Sequence, residues 1–455
     1  MLKPKLSSKL AVLLIATTSI GANAEITQDA RNRCFNDNAA DKTVTFVFDN
    51  NLWNVDDVTS VNVCGSFNSW KVKDAYLMTY DSTADAWTLT LPYSDVKIPG
   101  NSGQPEFKFV TNGGDWQSGE GKSFIPDGYV FMTSDKNNIV VFDSDDFDII
   151  KANSEIAGKI KSLDEFDLDT PEGRAAISNF RLVPGTRALY RCYHPYKWSR
   201  PNMETEPVRI DLVQKLSAEK GINSDICLSG DESGKLTSYT VNGVVYQEAI
   251  PDYYKTIIEN NRVLNVGTAN GSTPSYNYVY YTPTSSKFGQ WIKETVDFII
   301  SDESLAPYSI HCRLGTDRTG VFCGVLAALC GASWPEIAAD YQSTNQMGIL
   351  EFRDYHLLQH SFQTLLGFDD INQVDNLGEA LAQYFIGKGF LSQADIDALV
   401  AKIGDNGDSG ISESLADDSS AAPTFYNLQG IIVNEPSNGL FVKRQGNSAK
   451  LVFIK

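Results

Sequence analysis

Histidine is scarce, with four in 455 residues, and no His-Glu-x-x-His or Cys-x-x-Cys pattern occurs, so a zinc centre is not expected. The seven cysteines are too few and too scattered for a disulfide-framework protein. Basic residues are in deficit: 38 Lys plus Arg against 57 Asp plus Glu give a net charge of −19. Such an acidic surface repels nucleic acid and anionic lipid, so neither is an expected partner, although a local basic pocket is still allowed. No apolar run beyond the N-terminus approaches the ~20 residues that cross a bilayer. Hydrophobic residues still make up 42%, enough for ordinary cores. At roughly 150 residues per domain the length suggests about three units.

The N-terminus reads as a secretory signal over residues 1–24. Lys3, Lys5 and Lys9 form its basic end, Leu10 to Ile20 its short apolar stretch, and Ala22-Asn23-Ala24 its cleavage site. The apolar stretch is too short for a membrane anchor and is interrupted by Thr17, Thr18 and Ser19. Export to the periplasm, the cell surface or the medium is therefore expected.

Residues 25–142 read as all-β. Val44, Phe46 and Phe48 alternate with polar residues, as do Val61 and Val63, then Trp87, Leu89 and Leu91, with turns such as Asn112-Gly113-Gly114 between the runs. Residues 143–154, with Asp143, Asp145, Asp146 and Asp148, read as a solvated acidic linker. Residues 155–405 alternate strand-like and helix-like segments, an α/β pattern. Capping boxes at Ser333 to Glu336 and Ser392 to Asp395 mark two helix starts, and Gly404 stands where a C-terminal cap belongs. Residues 406–424 read as a flexible linker, and 425–455 as a short β element around Ile431, Phe441 and Val452.

The chemistry concentrates in His311-Cys312-Arg313-Leu314-Gly315-Thr316-Asp317-Arg318-Thr319-Gly320. A strand-like Pro307 to Ile310 precedes this run and an apolar segment of helical length, Val321 to Leu329, follows it. A cysteine at a strand end, a tight turn and then a helix make a phosphate cradle, because turn amides and the helix N-terminus present positive ends to an anion. Residues Arg313 to Arg318 form the cradle, Arg318 offers a planar fork for two phosphate oxygens, and the same field lowers the pKa of Cys312 to give a nucleophilic thiolate. Thr319 is placed to hydrogen-bond the sulfur and ease its departure. His311 reads as a supporting hydrogen-bonder behind the turn.

This run resembles the signature of the cysteine-dependent protein tyrosine phosphatase superfamily. Asn179-Phe180-Arg181, Leu189-Tyr190-Arg191, Gly221-Ile222 leading into Ile226 to Glu232, and Gly331-Ala332-Ser333 through Ala339-Asp340-Tyr341 look like its bacterial tyrosine-phosphatase-like group. The resemblance spans roughly 155–405. It implies an α/β phosphatase domain, a phosphocysteine intermediate and no metal or organic cofactor. Relatives in that group usually carry Lys where this chain has Thr316, which weakens an expectation of lipid substrates. The leaving oxygen needs a proton, and the stretch Tyr281-Thr282-Pro283-Thr284, where dual-specificity enzymes carry an acid, has none. Asp317 is the first candidate, with an orienting role as its alternative; Asp231 is the second, with an ordinary turn aspartate as its alternative. His356 and His360, four residues apart, read as a solvated helix face in preference to a metal pair.

In the β region, Gly65-Ser66-Phe67-Asn68-Ser69-Trp70, Phe107-Lys108-Phe109, Asn112 to Trp116 and Asn137 to Val141 occur in the order of glycogen- and starch-binding modules of immunoglobulin-like sandwich fold. The resemblance puts Trp70, Lys108, Trp116 and Asn137 or Asn138 on sugar-contacting positions; the alternative is that the tryptophans fill the core, as Trp87 is expected to do. Residues 427–455 look like degenerate bacterial C-terminal sorting segments. The layout resembles glucan phosphatases, so the expected partners are a phosphorylated protein, a small phosphoester or a phosphoglucan, with a possible glucan ligand. The remaining reading is a catalytically silent binder of phosphate. Cys34 with Cys64 and Cys192 with Cys227 are the disulfide pairings considered, and sequence does not choose among them.

Overall fold

The computed structural model describes residues 26–100, 103–117, 137–142, 150, 159–405 and, in the tail, 423–426, 432–433, 436, 439–445 and 448–454. Residues 1–24, where the signal is expected, lie outside these, as do nearly all of 143–154 and 406–424 and, within the sorting-like segment, 427–431.

The N-terminal unit is two antiparallel sheets over one core. One runs β1 (Phe35–Asn38), β2 (Thr43–Phe48), β5 (Ala86–Pro92), β4 (Thr79–Asp81); the other runs β3 (Val61–Gly65), β6 (Glu106–Thr111), β7 (Asp115–Gln117), with β8 (Asn138–Ile139) also on β6. Alternation sends Phe46 and Phe48 inward from one sheet and Phe107 and Phe109 from the other. They meet with ring centroids 5.0 Å apart for Phe46–Phe107 and 5.1 Å for Phe48–Phe109. Ile150 and Phe352, both from beyond residues 25–142, are also buried in this core. Ile150 corrects the reading of 143–154 as wholly solvated, because an apolar side chain within reach of an open core edge gains more by burial than by exposure.

The second unit is built on a five-stranded sheet. Its order is β14 (Val263–Asn265), β11 (Ser224–Cys227), β15 (Tyr308–His311), β10 (Leu189–Cys192), β9 (Arg181–Leu182), parallel except for the edge strand β9. The period of two gives the sheet different faces. Ile226, Tyr308 and Ile310 enter a large apolar core with the helices Ser286–Ile300 and Asp317–Leu329. Asp225, Cys227, Ser309 and His311 alternate with them along β11 and β15 and belong to the opposite face. A hairpin, β12 (Ser238–Val241) and β13 (Val244–Gln247), stands apart from the sheet. Both expected capping boxes form, on the helices Trp334–Ser343 and Gln393–Ile403, the second ending at Gly404.

The tail forms a sheet in the order β17 (Ile432–Val433), β16 (Thr424–Tyr426), β18 (Gly439–Gln445), β19 (Ser448–Ile454), lying against the helix Trp334–Ser343. All seven cysteines are free, so neither considered disulfide pairing is present. Among the described residues no helix is long and apolar enough to cross a membrane.

One polar cluster ties the sheet edge to the helices. Asp340 accepts from Arg181 Nε at 2.6 Å and from the fully buried Arg191. Burial favours the neutral carboxyl, but the two guanidinium groups outweigh it and hold Asp340 below the usual carboxylate range. Removing one partner from such a set leaves charge buried without compensation. Asp340→Ala is therefore expected to lower unfolding stability by ~3–5 kcal/mol in urea titration.

Candidate active site

The central strand β15 delivers Cys312 to the mouth of a turn that ends in the helix Asp317–Leu329. Three carbonyls of this turn point away from its centre. Arg313 O accepts from the His194 amide at 3.2 Å. Leu314 O accepts from Asn179 Nδ2 at 3.1 Å, and Gly315 O accepts from Asn179 Nδ2 at 3.0 Å and from Arg191 Nη2 at 2.6 Å. In a trans peptide the N–H lies opposite the C=O, so the amides of Leu314, Gly315 and Thr316 face inward. An anion-binding concavity results, with the helix N-terminus adding its partial charge. Gly315 has φ of +71°, and a Cβ there would fall 2.1 Å from Cys192 O, so the turn needs glycine at this point.

Burial alone would push the Cys312 thiol up. The Arg318 charge, the Thr319 hydroxyl and the Thr319 amide outweigh it and bring the thiol below its ordinary value of 9.0. The other six cysteines all move the other way: burial raises Cys64 to about 11 and both Cys323 and Cys330 to about 12, with Cys34, Cys192 and Cys227 also raised. Cys312 thus stands alone among the seven cysteines in having its thiolate favoured by its surroundings. Arg318 Nη1 donates to Leu228 O at 3.0 Å, which holds the guanidinium beside the loop after β11.

The remaining expected residues divide in two. Arg313 turns its side chain away from the cradle, donating to Ser199 Oγ at 3.0 Å, Glu232 Oε2 at 2.6 Å and Trp198 O at 3.0 Å. It contributes its backbone to the turn and its guanidinium to the fold. Leu314 packs against a small core around Trp198 and Met347. Asp317 has both oxygens engaged: Oδ1 accepts from Arg353 Nε at 2.7 Å and Tyr280 Oη at 3.2 Å, and Oδ2 faces Arg353 Nη2 at 3.5 Å. Asp231 is exposed and accepts from Ser233 N at 2.9 Å and Ser233 Oγ at 2.7 Å, the geometry of a turn aspartate.

Behind the cradle His311 is fully buried, with Nε2 3.0 Å from Asp225 Oδ2 and Nδ1 3.1 Å from Cys312 O. Burial opposes its charge, but the Asp225 carboxylate outweighs burial and raises the imidazole above its ordinary value. His194, Cys227 and His311 have ligand atoms within 4.8 Å of one another, a spacing that a metal would accept. Proton placement argues against that use. His194 Nδ1 accepts from the amides of Tyr196 at 3.4 Å and Lys197 at 3.2 Å, so its proton is on Nε2. Both His311 nitrogens are already set against oxygen atoms, Asp225 Oδ2 and Cys312 O.

Residues 236–394 match the tyrosine phosphatase family. The matched stretch holds the whole turn and its following helix. The phosphatase region as read from sequence begins earlier, and Asn179, Arg191 and Asp225, which shape the turn from outside the match, are part of the same sheet unit. No curated protein matches the chain.

A second cavity of about 530 Å³ opens on the β module, and Trp70, Lys108, Trp116 and Asn137 all line it. Trp116 is 44% exposed and Trp70 half-buried, so neither fills the core. Asn137 is buried and donates to Glu106 Oε2 at 2.6 Å; Asn138 instead donates to Arg33 O at 2.9 Å and does not line the cavity. Trp87 packs half-buried against the core. Tyr281, from the phosphatase unit, forms part of the cavity wall and donates to Pro99 O at 3.2 Å. Sequence reading missed Tyr281, Glu106, Glu232, Arg353 and Asp225; each acts through a partner distant in the chain, which local spacing does not reveal.

His356 and His360 do not form a solvated helix face. Both line a further cavity of about 550 Å³ between the two units, and burial lowers the His360 pKa.

The thiol shift has a direct consequence. Because the Cys312 pKa is lowered, its thiolate is present at pH values where ordinary thiols are protonated. Iodoacetamide labelling of Cys312, mapped by mass spectrometry, is expected to rise with a midpoint below 9.0, ahead of the other six cysteines. Thr319→Val should move that midpoint upward.

Proposed function

We propose that the protein is an exported, cysteine-dependent phosphatase that hydrolyses phosphomonoesters through a phosphocysteine intermediate. The observation that carries this reading is a lowered Cys312 thiol at the base of a turn whose amides face inward, beside Arg318. Export rests on the sequence of residues 1–24.

In the first step the Cys312 thiolate attacks phosphorus, the S–P bond forms, and the P–O bond to the leaving group breaks. Turn amides and Arg318 hold the equatorial oxygens, whose charge is spread in the transition state. In the second step water attacks phosphorus, the S–P bond breaks, the protons of that water stay on the departing phosphate, and the Thr319 hydroxyl donates a hydrogen bond to the returning thiolate. The leaving oxygen must gain a proton in the first step unless it leaves as a stable anion. A proton donor needs one oxygen carrying a proton and turned to the leaving group, whereas Asp317 has both oxygens set against Arg353 and Tyr280. Asp317 therefore orients, and the proton comes from water.

That assignment bears on the substrate. A phenol, with a pKa of ~10, leaves without full protonation far more readily than a sugar hydroxyl. Aryl esters of the phosphotyrosine type are thus favoured over phosphoglucans. The second reading, glucan binding by an immunoglobulin-like module, is favoured by the convergence of Trp70, Lys108, Trp116 and Asn137 on one cavity. An exposed indole face can cover a pyranose ring while Lys and Asn reach hydroxyls. In this reading the module anchors the enzyme and the phosphatase acts on phosphoproteins or small aryl esters.

Phosphate release from a phosphotyrosine peptide is expected to exceed that from phosphorylated starch and to vanish in Cys312→Ser. Asp317→Asn should lower kcat for phenyl phosphate and p-nitrophenyl phosphate by a similar factor; a much larger loss on phenyl phosphate would instead make Asp317 the proton donor. Trp116→Ala should weaken retention on immobilised amylose about tenfold, ~1.4 kcal/mol, without changing phosphatase activity.

A further inference from the structure

The segment between the helices Trp334–Ser343 and Tyr355–Leu366 contains three consecutive residues with three different attachments. Phe352 is 1% exposed and lies in the apolar core of the β module, among side chains from both of that module's sheets. Arg353 points to the phosphatase turn, with Nε 2.7 Å from Asp317 Oδ1. Asp354 turns back to the β module, where its Oδ1 accepts from Gln104 Nε2 at 3.3 Å. Gly103, the residue before Gln104, lies close enough that a Cβ there would be 2.7 Å from Asp354 O, at a φ of +105° that favours glycine.

Arg353 is held at both ends. Its amide donates to Asn345 Oδ1 and its carbonyl accepts from Asn345 Nδ2, each at 2.8 Å. That pair fixes the backbone from the phosphatase side, while Phe352 and Asp354 fix it from the β-module side.

We propose that Arg353 is a positioning residue for Asp317, and that the β module, through Phe352, keeps Arg353 where it grips the turn. Hydrolysis then depends on the docked β module even for a substrate too small to touch it. The inference builds on the phosphatase reading and adds to it a role for the β module separate from any sugar it binds. An interaction that places a group in the cradle is sensitive to small displacements, and ~1 Å of misplacement can cost up to ~100-fold in rate.

The test uses the full chain and phenyl phosphate. Phe352→Ser is expected to lower kcat about tenfold or more, and Arg353→Ala to do the same. In an Asp317→Asn background Phe352→Ser should cause no further loss, because the path runs through Asp317; a merely structural defect would multiply the two losses. Phe352→Leu, which keeps an apolar plug, should restore most of the rate. Unchanged kcat in Phe352→Ser, or the same fractional loss with Asn at 317, overturns the proposal. If Phe352→Ser does not fold, Gly103→Ala presses on Asp354 from the β-module side and is held to the same two criteria. Amide hydrogen exchange across residues 313–319 provides a readout free of turnover. Faster exchange in the variants supports the coupling and unchanged exchange overturns it. Absence of any hydrolysis by the unaltered chain would count against the phosphatase reading alone.

Discussion

The orientation of three peptide planes, from Arg313 to Thr316, is what the rest of the site depends on. Turned with their carbonyls outward, they aim N–H groups at one point; turned the other way, they would present oxygens and repel phosphate. The outward set is held by groups from elsewhere in the fold: the His194 amide, Asn179 and Arg191. Arg191 in turn is buried and anchored by Asp340 on the following helix. A guanidinium in that setting is stabilised only while its carboxylate is present, so the turn, the edge of the sheet and the helix after it form one electrostatic unit.

A second polar chain runs on the opposite face of the sheet. Asp225 on β11 pairs with His311 on β15, and His311 meets the carbonyl of Cys312. The pairing exists because the two strands are neighbours in register, with Cys227 opposite His311 and Asp225 opposite Ser309. The pair braces the base of the cradle from behind. The metal-like spacing of His194, Cys227 and His311 follows from the same packing: His194 Nδ1 accepts from two amides and both His311 nitrogens lie against oxygen atoms.

The two units share more than a boundary. Phe352 from the phosphatase unit sits in the β-module core, Tyr281 forms one wall of the β-module cavity, and Gln104 reaches back to Asp354. An apolar side chain donated across a domain boundary ties the two cores together more firmly than polar surface contacts would, because its removal from water is not screened by salt. Asp317 sits where this junction meets the cradle, through Arg353.

Much of this was legible in the chain alone. Strand alternation at Val44, Phe46 and Phe48, the capping boxes at Ser333 and Ser392, and the Cys312-to-Thr319 run are local patterns, and local patterns survive in sequence because their partners lie a few residues away. The seven cysteines did not reveal their pairing, and the structure leaves all of them free. Whether Trp70 and Trp116 point into a core or a cavity was equally undetermined, since both outcomes use the same residue type. The role of Asp317 depended on Arg353, 36 residues further on, and on Tyr280, 37 residues before it. The amino-acid sequence by itself determined which groups are able to carry the chemistry; the tertiary structure decided which of them face the cradle, because orientation is set by partners that only folding brings within hydrogen-bonding distance.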